Sequence, residues 1–148
     1  MLSLKGRVGL VTGAGQGVGR QVALHFGAHG CKVLVNDFHE GRARAVADEV
    51  RALGAEAIAV TGDVTKFDDV GRWLPGAVAA AGGLDIVVNN AGNPGPATDP
   101  TKHTPFFETG PTDWANWLDT NLYGVLNVCR VATPGMIQRG NGGSIINV

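Results

Sequence analysis

Short apolar runs alternate along this chain with longer segments whose apolar positions recur at three- and four-residue spacing. Val8-Gly9-Leu10-Val11, Lys32 to Asn36, Ala57 to Val60, Leu84 to Val88 and Ser144 to Val148 read as strands. Helices are expected from about Gly17 to His29 and from Arg42 to Leu53. A third helix places Val70, Trp73, Leu74, Ala77, Val78 and Ala81 on one face, and Pro75-Gly76 is expected to interrupt and kink it. Trp114, Trp117, Leu118, Val125, Val128 and Ala132 predict one long helix from about Thr112 to Arg139, with Asn121 on its apolar face. Strands that are apolar throughout suit a sheet covered on both faces. Strand–helix alternation with short links argues for parallel strands and right-handed crossovers. The expected fold is therefore a doubly wound α/β parallel sheet with helices on both faces and ligands at its C-terminal strand ends.

Two stretches depart from that pattern. Asn93 to Pro111 holds Pro94, Pro96, Pro100, Pro105 and Pro111 and reads as a loop too long for a mere connector. It suits a substrate lid or an insertion, with Asp99, His103 and Glu108 as residues that could meet substrate. The second is the run to Val148, which stops inside an apolar strand. The expectation is a single domain over residues 1–148, truncated after the fifth strand and incomplete at its C-terminus.

Composition narrows the function classes. The length suits one domain with one core. A formal net charge of -1 with 17% charged residues leaves no basic stripe for nucleic acid or an anionic membrane. The 23 glycines are more than twice the usual ~7% and cluster at the ends of apolar runs, which points to tight turns. Cys31 and Cys129 lack metal or redox spacing and read as small buried apolar residues. His25 and His29 stand four apart, but Phe26 occupies the place of the Glu in H-E-x-x-H and no third ligand is evident, so no metal site is expected. With no signal segment and no apolar run near ~20 residues, the chain reads as soluble and cytoplasmic.

The chemistry lies in the turns. Thr12-Gly13-Ala14-Gly15-Gln16-Gly17-Val18-Gly19 falls where the first strand becomes the first helix. A phosphate can approach such a turn because glycine lacks Cβ and a helix N-terminus offers free N–H groups and partial positive charge. Gly19 is followed by Arg20-Gln21, which excludes a P-loop, and the spacing is T-G-x-x-x-G-x-G rather than G-x-G-x-x-G. Asp37 closes the second strand, where a carboxylate can accept both hydroxyls of an adenosine ribose. It would repel a 2′-phosphate by ~1–4 kcal/mol at ~4 Å, so NAD is favoured over NADP; Arg42 and Arg44 stand close enough to weaken that preference. A helix-capping role for Asp37 is the alternative. Asp63-Val64 follows the third strand and Asn89-Asn90-Ala91-Gly92 the fourth, and singly each could be turn chemistry.

Taken in order, Thr12–Gly19, Asp37, Asp63-Val64, Asn89–Gly92 and Asn121 resemble the short-chain dehydrogenases/reductases over essentially the whole chain. The resemblance implies a Rossmann fold and NAD-dependent hydride transfer with a secondary alcohol or ketone. It implies that Gly13, Gly17 and Gly19 shape the diphosphate site, lined by Gln16 and Val18. Asp37 would hold the adenosine ribose, Asp63 and Val64 would contact adenine, and Asn90, Ala91 and Gly92 would flank the cofactor. Asn121 matches the family's Asn that holds a relay water near the catalytic Lys; a purely structural Asn is the alternative. Among relatives the pattern is similar to the 3-oxoacyl-carrier-protein reductase and the acyl-CoA or sugar dehydrogenase branches, and the substrate stays open.

The family also needs a Ser just after the fifth strand and a Tyr four residues before a Lys, where Lys lowers the pKa of the acid/base Tyr. Here Ser144 opens the fifth strand, Tyr123 is followed at that spacing by Asn127, and all four lysines precede Tyr123. The 148 residues alone are thus expected to be inactive. The resemblance of the last helix to one used in subunit packing implies a homodimer or homotetramer for the full-length protein. Two other readings are a catalytically silent dinucleotide-binding or interaction module and, against the T-G start and N-N-A-G, a methyltransferase.

Overall fold

The computed structural model describes residues 3–92 and 104–148. Five parallel strands form one sheet: β1 (Val8–Val11), β2 (Lys32–Asp37), β3 (Ala57–Thr61), β4 (Ile86–Asn89) and β5 (Ser144–Asn147). Their order across the sheet is β3-β2-β1-β4-β5. The chain winds outward from β1 to β3, then returns to pair β4 on the other side of β1. That reversal opens a crevice above the C-terminal ends of β1 and β4, the place where open α/β sheets take ligands. The doubly wound fold expected from the sequence is the fold observed.

Alternation along the strands builds two cores. Leu10, Leu34 and Val87 point to one face and pack with Val70 and Leu74 of α3 (Phe67–Ala81) and Val128 and Met136 of α5 (Gly124–Arg139). Val11, Val33, Val35 and Val88 point to the other and meet Ala23 of α1 (Gly17–Ala28) and Val46 and Val50 of α2 (Glu40–Ala52). Below the sheet, the buried Asp85 carboxylate accepts the Val8 N–H at 2.8 Å and pairs with Arg7 and Arg139, joining the starts of β1 and β4 to the end of α5.

Several details differ from the sequence expectation. Pro75 lies inside an unbroken helix over Phe67–Ala81. β4 starts at Ile86 rather than Leu84 and runs on to Asn89, and Asp85 just before it already donates its N–H to the Val8 carbonyl at 2.9 Å. The two central strand faces are covered, but β5 is exposed along its length, with Ile145 and Ile146 38% and 44% accessible. The long loop ends earlier in order: Phe106–Glu108 forms a 3₁₀ turn, Phe106 stacks on Trp114, and Asp113 accepts the Gly110 N–H at 2.8 Å to start α4 (Pro111–Leu118).

The largest correction concerns the last helix. Between α4 and α5 the backbone makes a π-helical turn over Asp119–Tyr123. The extra residue per turn rotates everything before it relative to everything after it. Gly124, Val128, Ala132 and Met136 bury one stripe of α5, whereas α4 buries nothing fully. Trp117 and Leu118 are exposed, and so is Asn121, which therefore does not lie on a buried apolar face.

Candidate functional site

Thr12 stitches the turn after β1 to the turn after β4. Thr12 is 1% exposed, and its hydroxyl accepts the N–H groups of Asn90 at 3.1 Å and Ala91 at 3.0 Å. In return, the Asn90 side-chain amide donates to the carbonyls of Thr12 at 3.0 Å and Gly13 at 3.2 Å. This contact leaves no room for side chains: a Cβ on Gly13 would stand 2.8 Å from Ala91 Cα, and one on Gly19 2.4 Å from Asn90 Nδ2. Thr and Asn thus supply the polar stitches, and glycines supply the closeness.

The glycine turn then delivers its helix. Gly13 and Gly17 have φ of 60° and 55°, in the left-handed region that glycine adopts without a steric penalty. Gln16 is the N-cap of α1 but makes no capping hydrogen bond from its side chain, and no acid stands in the first turn. The N-terminal amides and positive dipole end of α1 are therefore left for an outside acceptor. The space beside Gly17, where a Cβ would project, is open.

Asp37 is 4% exposed and sits beside this turn. One carboxylate oxygen accepts the Gly15 N–H at 3.0 Å and the other accepts the His39 N–H at 2.9 Å. A Cβ on Gly15 would lie 2.5 Å from Asp37 Oδ2 and 2.5 Å from Arg42 Cβ. Gly15 is thus as constrained as the motif glycines, yet it stands at a position the motif writes as any residue. The buried Asn36 fastens the neighbouring strand end, donating to the carbonyls of Val60 and Gly62 at 3.2 Å each.

The third turn has its own anchors. Asp63 accepts both the N–H and the hydroxyl of Thr65, at 2.9 and 2.8 Å, and donates its own N–H to Asp69 at 2.9 Å. That N–H, together with Arg72, holds the Asp69 carboxyl below its ordinary pKa. Val64 is buried, and its carbonyl accepts the Asn127 side-chain amide at 2.9 Å, which ties α5 to this turn. Trp73 packs against Gly62, where a Cβ would meet the indole at 2.2 Å.

These turns enclose a cleft of about 560 Å³. Gly13, Gln16, Asp37, Asp63, Val64, Asn90, Ala91 and Gly92 line it, all of them expected from the sequence. Gly17, Val18 and Gly19 form the first turn of α1 instead of lining the cleft: Gly19 is buried beneath Asn90, while Val18 is 62% exposed. Asn121 lies at the far end, where its Oδ1 would be 3.0 Å from a Cβ on Gly92, and its neighbour Thr120 lines the cleft. Phe38, Arg42 and Thr65 also line the cleft without having been singled out as binding residues. Phe38, 66% exposed, was hidden because an aromatic after a strand reads as packing.

Other candidates stand apart. Asp99 and His103 lie outside the described residues. Glu108 belongs to the 3₁₀ turn and does not line the cleft. His29 Nδ1 lies 2.8 Å from the His25 carbonyl, and among the described residues no group of three or more His, Cys, Asp or Glu could hold a metal. A wider hollow of about 790 Å³ at the N-terminal strand ends includes Arg7, Lys32 and Arg139, but these are paired with Asp85 or Glu56. Among the described residues no helix is long and apolar enough to cross a membrane.

Comparison with known proteins places this geometry. The family model described as short chain dehydrogenase matches residues 7–148. The 3-oxoacyl-[acyl-carrier-protein] reductase FabG of Staphylococcus epidermidis is 37% identical over 140 residues, covering 94% of this chain and 54% of that protein. A short chain dehydrogenase/reductase of Burkholderia phymatum solved in complex with NAD has a TM-score of 0.86 at 32% identity, over 99% of this chain and 50% of that one. A 7α-hydroxysteroid dehydrogenase solved with NADH and 7-oxo glycochenodeoxycholic acid has a TM-score of 0.87 at 30% identity, over 99% and 54%. The chain spans about half the length of the relatives it matches.

Proposed function

The chain belongs to the short-chain dehydrogenase family, and on that premise we propose that it is the NAD-binding part of an oxidoreductase acting on a secondary alcohol or ketone. One observation carries the reading: the uncapped N-terminus of α1, the Asp37 carboxylate and the Asn90–Gly92 turn meet at a single cleft. The fit to a dinucleotide rests on the open space beside Gly17 and on the absence of a side-chain cap on α1. The chemistry supplied by the bound nicotinamide is hydride transfer.

In this proposal Gly13, Gly17 and Gly19, with Gln16 and Val18, hold the diphosphate through backbone N–H groups and the dipole of α1. Asp37 keeps acceptor capacity beyond its two backbone partners, since a carboxylate has about four lone-pair sites, and takes the adenosine ribose hydroxyls. Asp63 and Val64 contact adenine, and Asn90, Ala91 and Gly92 flank the nicotinamide side chiefly through the backbone. Asn121 holds a relay water; its place in a π-helical turn suits that role, since such turns are frequent at functional sites. Proton transfer to substrate is assigned to none of the 148 residues, and the chain alone is proposed to bind NAD without turnover.

The names of the 3-oxoacyl-[acyl-carrier-protein] reductase and the 7α-hydroxysteroid dehydrogenase fit a hydroxyl/oxo substrate pair, which supports that substrate class. The exposed Trp117, Leu118, Leu122 and Leu126 support subunit packing through α4 and α5 in a homodimer or homotetramer, and a cytoplasmic setting is proposed with it. Isothermal titration with NAD, ADP-ribose and S-adenosylmethionine tests the reading. NAD and ADP-ribose are expected to bind and S-adenosylmethionine is not; the reverse outcome overturns it.

A further inference from the structure

β5 ends the order β3-β2-β1-β4-β5, so its outer edge meets no other strand among the described residues. The N–H of Ser144 donates to the Asp85 carbonyl at 2.9 Å and that of Val148 to the Asn89 carbonyl at 3.1 Å, so the even-numbered residues turn their backbone groups towards β4. Ile145 and Asn147 turn theirs outward, because polarity alternates along a strand. The side chains alternate as well. Ile145 is in register with Val87 and shares its face with α3 and α5, while Ile146 is in register with Val88 and shares its face with α1 and α2. Both are exposed, and so is Val148. Edge strands are ordinarily kept apart by charges, prolines or bulges. From Gly140 to Val148 there is no charged residue and no proline. Arg139, just before, is turned to Asp85 at 3.8 Å, and the Asn147 side chain is tied back, accepting the Asn89 amide at 2.9 Å. The opposite edge is built differently: Ala57 and Val60 of β3 are buried, and Glu56 and Asp63 flank the strand.

We infer that β5 is a self-pairing edge whose partner is the β5 of a second copy of this chain, running antiparallel to it. The register follows from the backbone. A two-fold axis normal to the sheet keeps each face on its own side, so directly opposed residues must share a face. Centred on Ile146, the pairing sets Ile145 opposite Asn147 of the copy, and Asn147 opposite its Ile145. These are the residues with outward groups, and each exchanges both hydrogen bonds with its opposite. Ile146 then faces its own copy at the non-hydrogen-bonded position, where side chains stand closest. Centring on Ile145 would instead set Asn147 against Gly143, which lies outside β5. With no charge on either strand, the approach meets no like-charge repulsion. On the other face Ile145 borders an apolar groove of about 350 Å³ with Met136 and Ile137 of α5, and the two-fold sets this groove beside its copy. One patch meets itself, so the contact closes at two chains. It is separate from the packing through α4 and α5 and does not depend on it.

Sedimentation equilibrium of the 148-residue protein tests this between about 10 and 500 µM, a range suited to a short pairing at the weak end of specific interfaces. The wild type is expected to reach twice the mass of the chain, or an even multiple where α4 and α5 also pack. Ile146→Lys and Ile146→Glu each set like charges against one another at the two-fold. Each is expected to halve the wild-type mass while leaving the far-ultraviolet circular dichroism unchanged. An equimolar mixture of the two variants is expected to recover the wild-type mass, since opposite charges then meet, and a misfolded variant would not be rescued in this way. Leu122→Lys, on the face of α4 and α5, should leave the β5 pairing in place. A wild type that stays monomeric throughout overturns the inference and leaves the edge to a different strand, such as one following Val148. Variants at Ile146 that keep the wild-type mass overturn it too, as does a mixture no heavier than either variant alone. Association abolished by Leu122→Lys assigns the contact to α4 and α5 and overturns it as well.

Discussion

Replacing Thr12 by Val removes one oxygen from the stitch between the first and fourth turns while keeping nearly the same shape. Two donors lose their acceptor: the N–H of Asn90 at 3.1 Å and of Ala91 at 3.0 Å. Both bonds lie in half-buried surroundings, so each loss costs the lower end of the usual range, about 1 kcal/mol. The third contact, from the Thr12 hydroxyl to the Val88 carbonyl, is long at 3.4 Å, and that carbonyl keeps the Thr12 N–H at 3.0 Å. Its loss orphans nothing. Thr12→Val is therefore expected to destabilise by about 2 kcal/mol and to weaken NAD binding, because the walls of the cleft are no longer held at one spacing. Thr12→Ser keeps the oxygen and loses a buried methyl, a cost of about 1 kcal/mol. Its NAD affinity is expected to stay near that of the wild type. Urea unfolding followed by far-ultraviolet circular dichroism gives the stabilities, and calorimetry gives the affinities. A Thr12→Val protein as stable as the wild type and equal to it in NAD affinity would falsify the stitch.

Further predictions follow from close contacts and buried groups. Gly15→Ala drives a methyl group into Asp37 and Arg42, so it is expected to cost about 1–3 kcal/mol of stability and to weaken ADP-ribose binding by more than binding of nicotinamide mononucleotide; equal losses for the two ligands would refute it. Gly62→Ala forces the Trp73 indole from its place and is expected to change the tryptophan emission with a similar loss of stability, read by fluorescence-monitored urea melts. Burial pushes the Cys31 thiol up to about 11, with the nearby Asp85 charge acting the same way. The unfolded thiol gives up its proton first, so this contribution to stability is whole below about pH 8.5 and is lost as pH rises towards 11. Cys31→Ala should flatten that alkaline decline in urea midpoints, and iodoacetamide at pH 8 should label Cys129 before Cys31, as judged by peptide mass spectrometry.

How far the fold was legible depends on where each element takes its instructions. β1, β2 and β3 are apolar runs bounded by turn residues, and their boundaries agree with the pattern to within a residue or so. β4 runs from Ile86 to Asn89 instead of Leu84 to Val88, and nothing in the apolar run marks Asp85 as what it is, a buried carboxylate bonded to the start of β1 far away in sequence. Pro75-Gly76 is expected to interrupt and kink the third helix, yet α3 continues through it, packed through Val70, Leu74 and Ala81. Tertiary burial there outweighs one missing backbone hydrogen bond. The π-helical turn at Asp119–Tyr123 escaped for a different reason. A period of 3.6 holds within α4 and within α5 but not across the turn between them, and an extra residue breaks the phase with no Pro in it and only Gly124 at its end.

The site divides along the same line. Gly13, Asp37, Asp63 and Asn90 were legible because each sits at a strand end and carries a chemistry that a turn there can use. Gly15, Phe38 and Asn127 were not, because their value lies in what other segments bring to them. Gly15 is small on account of Asp37, 22 residues away, and Asn127 matters through the Val64 carbonyl, 63 residues away. A binding half built mainly from backbone amides leaves its sequence trace in glycines. Thr12 and Asn90, which hold those amides at one spacing, show within the motifs, whereas a more distant partner such as Asn127 leaves almost no trace, since Asn is common in any segment. It follows that the strongest perturbations of NAD binding should come from the partners of the glycines as much as from the glycines themselves. Asn127→Ala gives that claim a measurable form. It touches no motif glycine and removes the side-chain hydrogen bond from α5 to the Val64 carbonyl, so ADP-ribose affinity should fall severalfold while the α1 turn stays intact. An unchanged affinity in a folded Asn127→Ala protein would show instead that the Asp63–Val64 turn holds its shape without help from α5.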